Sequence, residues 1–152
     1  MALTPNIDFV TGAILTAEQQ NRLPRGGMTF TAATVTDATV TAEEIQITSA
    51  SFTADADRTY RLTYSEPQVI SSLAGVMILR MRFTNLAGAL IGQASVTVAV
   101  AQQSGVAVAV RTLPAGATVV VATAQCTAGT GQCQRSAAGI GAYLLIEDIG
   151  GT

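Results

Sequence analysis

The chain has 152 residues, a net charge of −2 and a pI near 4.9, with 49% hydrophobic and only 12% charged residues. That length supports one domain with its own core, and eight scattered arginines without a lysine give no basic footprint for nucleic acid. Histidine and tryptophan are absent too, which removes the usual base of Ser or Cys nucleophilic catalysis and, with two cysteines only, a protein-only zinc site.

Residues 1–27 read differently from the rest. Met1 to Asp8 has no basic or apolar leader pattern, so no secretory signal is expected. Ile14 to Pro24 predicts a short helix. Thr16 can cap it, with Gln19 at the capping-box spacing, and Pro24 ends it. Arg25-Gly26-Gly27 reads as a flexible joint. A helix of one or two turns is unstable alone, so this arm should order by docking on its own domain or on a neighbour.

From Met28 the period changes to two. Thr29 to Thr36 alternates as a strand. Ile45 and Ile47 mark a second, Phe52 a third, and Asp55-Ala56-Asp57 a turn. Tyr60, Leu62 and Tyr64 alternate with Arg61 and Thr63, and Pro67 demotes the continuation to an edge or a bulge. In Gly75 to Phe83, Met77, Leu79, Met81 and Phe83 face one way and Val76, Ile78, Arg80 and Arg82 the other. Asn85 to Gly88 turns the chain. Ala94–Val100, Val106–Thr112, Thr118–Ala124 and Ala142–Ile146 supply four more strands. Pro114 to Gly116 and the stretch around Gly129 and Gly131 read as turns. The expected fold is all-β: a jelly-roll-like sandwich of about eight to nine antiparallel strands over 28–152, preceded by the 1–27 arm.

Mean hydropathy is +0.41. Thr, Ser, Gln or Arg interrupts every apolar run well before the ~20 residues of a membrane span, so no membrane partner is expected. The surplus points to oligomer interfaces, which resemble core.

Chemistry-bearing residues are few. Glu147 and Asp148 are adjacent on a strand and point to opposite faces; the pair reads as a solvated strand end. Asp55 and Asp57 offer too few carboxylates for Ca²⁺ and read as turn formers. Arg80 and Arg82 share a strand face, either wet or a subunit contact. The seven aromatics read as core. Cys126 and Cys133 fit either two free thiols or a small loop disulfide, the latter stabilising by about 2.5 kcal/mol. No Gly-rich segment lies between a strand and a helix as a phosphate loop requires. No catalytic residue, cofactor or metal site is expected, and the chain reads as a non-enzyme.

Two sets of segments carry family resemblances. Thr59-Tyr60-Arg61-Leu62, the Val76–Arg82 strand, Arg111-Thr-Leu-Pro-Ala-Gly-Ala-Thr-Val-Val-Val121 and Gly141-Ala-Tyr-Leu-Leu-Ile146 resemble, in that order, the jelly roll of tumour-necrosis-factor ligands and complement globular heads. Ala117 stands where that pattern has Asp. This resemblance spans roughly 28–149 and implies a homotrimer packed about a threefold axis by apolar strands. Gly12-Ala-Ile-Leu-Thr-Ala-Glu-Gln-Gln-Asn-Arg-Leu-Pro-Arg-Gly26 and Leu144-Leu-Ile-Glu-Asp-Ile-Gly150 are similar to small virion proteins of actinobacterial tailed phages, labelled minor tail or head decoration proteins. The lysine-free, alanine-rich composition agrees with a GC-rich host.

The resemblances imply a capsid decoration protein on the virion surface. Its partners would be further copies of itself and the major capsid protein, reached through Ile14, Leu15, Arg22, Leu23 and Arg25 of the arm. The alternative is a minor tail or fibre protein that recognises a host surface.

Overall fold

The computed structural model describes residues 12, 14, 16–98, 102–135 and 141–151. Among them are one helix, α1 (Ala17–Asn21), and twelve strands: β1 (Gly26–Ala33), β2 (Asp37–Val40), β3 (Glu44–Thr48), β4 (Phe52–Ala54), β5 (Arg58–Ser71), β6 (Gly75–Phe83), β7 (Leu90–Val98), β8 (Gln103–Thr112), β9 (Gly116–Thr118), β10 (Val120–Cys126), β11 (Gly131–Cys133) and β12 (Ala142–Gly151). All pairings are antiparallel. The fold is an all-β, jelly-roll-like sandwich. One sheet runs β1-β12-β5-β11-β2, with β8 on the other flank of β5. The second runs β3-β10-β6-β7, and β4 pairs with β9 as a separate ribbon.

The helix forms as its sequence predicts. The Thr16 hydroxyl accepts from the Gln19 backbone N–H, and the Gln19 side chain accepts from the Thr16 N–H, satisfying two donors that the helix leaves free.

The core lies between the two sheets. Alternation decides what enters it. Tyr60, Leu62 and Tyr64 of β5 and Met77, Leu79 and Met81 of β6 are fully buried, joined by Leu144 and Ile146 of β12. The facing read from the β6 sequence is the observed one, with Phe83 packed against the core margin. In β3, Ile47 is buried but Ile45 is half-exposed, because the register with β10 shifts between Ala122 and Thr123.

Pro67 does not end its strand. β5 continues to Ser71, and the missing N–H is absorbed by a register shift against β8 between Glu66 and Val69. β5 is also central, flanked by β12 and β11 on one side and β8 on the other. The expected turn around Gly131 is instead the short strand β11, paired with β2 and β5.

The edge strands β7 and β8 approach closely where the sheets meet. A Cβ at Gly105 would lie 2.6 Å from Leu79 Cδ1 and 2.8 Å from Val96 Cγ2, so glycine is the residue that lets β8 lie against β6 and β7.

Two buried ion pairs bracket the inward face of β5. Arg58 pairs with Asp148 of β12, and Glu66 pairs with Arg135; all four side chains are nearly fully buried. Glu66 also accepts from the Tyr64 hydroxyl at 2.6 Å, and Arg135 donates to Gln46 Oε1 at 2.6 Å. Each charge thus has partners for its remaining polar atoms, as burial demands.

Leu79→Asp places an unpaired carboxylate in this core and is expected to remove several kcal/mol of stability. Circular dichroism melting should show an unfolded or strongly destabilised chain. An unchanged midpoint would contradict the facing of β6.

Candidate functional site: two unlike sheet faces

The outward residues of the two sheets differ in kind. On the β3-β10-β6-β7 sheet, Arg80 and Arg82 point outward, as the β6 alternation predicts, but their guanidinium groups are engaged within the chain. Arg82 forks onto the Glu43 carboxylate, with Nε at 2.6 Å from Oε1 and Nη2 at 3.0 Å from Oε2. Arg80 Nη1 lies 3.2 Å from Glu43 Oε2 and donates to Gln125 Oε1 at 2.8 Å. The Thr123 hydroxyl donates to Glu43 at 2.7 Å. The Arg82 hydrogen bond first, then Thr123 and the charge of Arg80, outweigh partial burial and hold the Glu43 carboxyl below the ordinary glutamate range. This face mixes the engaged polar groups with apolar side chains: Ile45 and Leu90, in register with Thr123 and Arg82, are 42% and 48% exposed.

The outer face of the other sheet carries apolar side chains at its two sides and polar ones along β5, a layout that follows from register. One row across four strands is Val108, Thr63, Leu145 and Phe30. The next is Val106, Ser65, Tyr143 and Ala32. A third is Val110, Arg61, Glu147 and Gly27. Val106, Val108 and Val110 are 51%, 55% and 51% exposed, and Phe30 is 64% exposed. The Phe30 and Tyr143 rings stack with centroids 5.8 Å apart. Arg61 and Glu147 close the patch with an ion pair at 2.8 Å.

The sequence segment Val106-Ala107-Val108-Ala109-Val110 explains the β8 edge. Ala107 and Ala109 are buried, where the close approach to β7 admits only small side chains: a Cβ at Gly92 would stand 2.7 Å from that of Ala109. The larger valines therefore face out. A strand with small residues inside and branched ones outside is apolar on both faces, and that was the available signal for this surface. Phe30 and Tyr143 correct the expectation that the aromatics fill the core: Phe52, Tyr60 and Tyr64 do, but Phe30 and Tyr143 stand on the outer face, and Phe9 lies outside the described residues.

The C-terminal acidic pair is a second correction. Glu147 lies on the outer face, whereas Asp148 is buried and accepts both Nε and Nη2 of Arg58. It is not part of a solvated strand end.

Arg58 also fastens the arm. It donates to the carbonyls of Asn21 and, at 2.6 Å, Leu23, while the Gly151 N–H donates to the Arg22 carbonyl at 3.3 Å. Arg25 pairs with Asp55 at 2.5 Å. Gly26 and Gly27, read as a flexible joint, are paired with Asp148 and Glu147 at the start of β1. Of the five residues assigned to capsid anchoring, Arg22, Leu23 and Arg25 therefore sit in the segment that docks on the chain's own sandwich. Ile14 is exposed, and Leu15 lies outside the described residues. A cleft of about 760 Å³ beside this docking point is lined by Asn21, Arg22, Arg25, Asp55, Arg58 and Ala115 among others.

Cys126 and Cys133 are buried and unbonded to each other. Cys126 donates to the Ala128 carbonyl at 3.0 Å. Burial first, and then the neighbouring Glu66, pushes the Cys133 thiol well above the ordinary range, so it stays protonated and unreactive at neutral pH. Among the described residues, no group of three or more His, Cys, Asp or Glu side chains could hold a metal ion.

No family model matches the chain, and no curated protein does. Solved structures that resemble it include the CBM22-1 xylan-binding domain of Paenibacillus barcinonensis Xyn10C, at 11% identity and a TM-score of 0.37, covering 86% of this chain and 99% of that domain.

The Glu43 clamp has a definite pH signature. Its carboxyl titrates lower in the folded chain than in the unfolded one, so its contribution is present above the ordinary glutamate value of 4.5 and is lost as pH falls through the lower, folded value. Glu43→Gln should flatten the acid limb of the stability–pH curve measured by urea unfolding. An acid limb identical to that of the parent chain would contradict the clamp.

Proposed function

We propose that this chain is a non-catalytic virion structural protein: a homotrimeric decoration protein that sits on a phage capsid and stabilises it. The observation that carries the reading is the apolar outer face built by β8, β5, β12 and β1. The valine triplet at one edge, and Leu145, Tyr143 and Phe30 across Thr63 and Ser65 from it, leave apolar area in water, which marks an interaction site, and burying it against further copies removes that area from solvent at roughly 25 cal/mol per Å².

The similarity of both chain ends to small actinobacteriophage virion proteins supplies the setting. On this reading the major capsid protein is the second partner, and the arm faces it. Asn21 to Arg25 hold the arm to its own sandwich, and Ile14 projects beyond that fastening as the apolar contact. Added buried area between capsid subunits would oppose the outward pressure of packaged DNA.

Copy number tests the assignment. Quantitative mass spectrometry of purified virions should find hundreds of copies, in a fixed ratio to the major capsid protein. A handful per particle would move the protein to the tail and to host recognition. Its absence from the particle would overturn the virion reading.

A further inference from the structure

Between β2 and β3 the chain crosses from one sheet to the other. β2 pairs with β11 and β3 with β10, and only Thr41, Ala42 and Glu43 join them. The crossing is tied on both sides. On one side Glu43 holds Arg82 and Arg80 of β6. On the other, Gln46 of β3 reaches the β2 sheet. Its amide donates to Asp37 Oδ2 at 2.9 Å, and its Oε1 accepts from Arg135 at 2.6 Å.

Glu44 lies two residues before Gln46 on the same strand and shares that second side. One oxygen of its carboxyl, Oε1, is buried and has no hydrogen-bond partner. The groups around it supply none. Asp37 of β2 is a second carboxylate. Arg135 is engaged: Nε and Nη2 hold Glu66 of β5, and Nη1 donates to the Val35 carbonyl at 3.2 Å. The Tyr64 hydroxyl is likewise taken by Glu66. Cys133 of β11 is a protonated thiol, Cys126 of β10 donates to Ala128, and β1 carries no titratable side chain. Three carboxylates thus stand near one guanidinium, and that guanidinium belongs to Glu66.

Burial first, and then the charge of Asp37, pushes the Glu44 carboxyl above its ordinary value of 4.5. Asp37 goes the other way. Burial opposes its ionisation, but hydrogen bonds from Gln46 and Thr39, with the charge of Arg135, hold it below its ordinary 3.8. A proton taken up by this pair therefore goes to Glu44.

We propose that Glu44 is a proton-operated latch on the crossing from β2 to β3. With its proton on, Glu44 is neutral beside the ionised Asp37, and β3 stays tied to β2 through Gln46. When the proton leaves to solvent, two like charges face each other beside that tie, and the crossing loosens. The folded-state value of Glu44 lies above the unfolded one, so its stabilising share is full below 4.5 and is lost as pH rises through the folded value. Glu43, the residue before it, has the opposite sign. Acid releases the clamp on β6 and closes the latch on β2, and neutral pH does the reverse. Two consecutive carboxylates thus tie the crossing to different sheets at different pH.

Hydrogen exchange on the full chain, read by NMR and divided by the intrinsic rate at each pH, tests the latch together with side-chain carboxyl titration. The variants are Glu44→Gln, an uncharged isostere, and Asp37→Asn, which keeps an acceptor oxygen for Thr39. In the parent, protection of the β2 and β3 amides should fall severalfold relative to β6 as pH rises through the Glu44 midpoint towards neutral. Glu44→Gln should abolish that fall and keep the acid-level protection at neutral pH. In Asp37→Asn the Glu44 carboxyl should titrate at lower pH than in the parent. Flat β2–β3 protection in the parent, or a Glu44→Gln chain that keeps the fall, would overturn the latch. So would a Glu44 midpoint in the parent at or below 4.5, or one that Asp37→Asn leaves in place. A Glu44→Gln chain less protected than the parent at every pH would show the ionised carboxylate to be a stabilising contact, and would overturn it too.

Discussion

The inward face of β5 is the constraint on which the rest of the structure depends. Read along one side, it is Arg58, Tyr60, Leu62, Tyr64 and Glu66, a cation and an anion at the two ends of an apolar run, all buried. A charge in that position is tolerable only when paired. Asp148 and Arg135 supply the partners. The side-chain period of a strand is two, so a slip of one residue would turn both charges and the whole apolar set outward. The two ion pairs therefore fix the register of the central strand, and β12 and β8 take their registers from it. Arg58 reaches further, to the carbonyls of Asn21 and Leu23. The N-terminal arm, the central strand and the C-terminal strand thus share one buried polar centre.

That register has a consequence on the far side of the sheet. Once Tyr60, Leu62 and Tyr64 are committed inward, Arg61, Thr63 and Ser65 must face out, and the residues that pair with them are the valines of β8 and the Tyr143–Leu145 side of β12. The same pairing that places the core also sets the outer apolar residues on either side of Arg61, Thr63 and Ser65. On the opposite sheet the outward arginines are engaged within the chain by Glu43 and the amide of Gln125. The arginines of one sheet are thus held within the chain, while the β8 valines and Phe30 of the other stand in water. This division is the physical content of the assembly reading.

Much of the fold was legible in the sequence because alternation is a local signal. The Met77–Phe83 strand, the Tyr60–Tyr64 strand and the cap of α1 could be read from a few neighbouring residues, and Pro67 announced its bulge. What escaped was non-local. Asp148 gave no sign of burial because its partner lies 90 residues away. Gly26 and Gly27 looked like a joint because nothing near them shows that β12 pairs with them. The short strands β2, β9 and β11 are three or four residues long and exist only through their pairing. The candidate face was half legible. The Val-Ala-Val-Ala-Val run marks a strand apolar on both sides, but which side takes the valines is decided by the closeness of β7, a tertiary fact. Phe30 likewise reads as core until the register shows it beside Tyr143 on the outside.

The central claim is that the outer face of β8, β5, β12 and β1 is covered by further copies of the chain. Hydroxyl-radical footprinting of the full-length protein tests it most directly, because it reads side-chain access in solution. Phe30 and Leu73 are 64% and 59% exposed in the single chain, and only Phe30 lies on the proposed interface. After correction for intrinsic reactivity, the account predicts strong protection of Phe30, Tyr143 and the β8 valines relative to Leu73. Modification of Phe30 in proportion to its exposure in the single chain, at concentrations where Leu73 reacts equally, would contradict it.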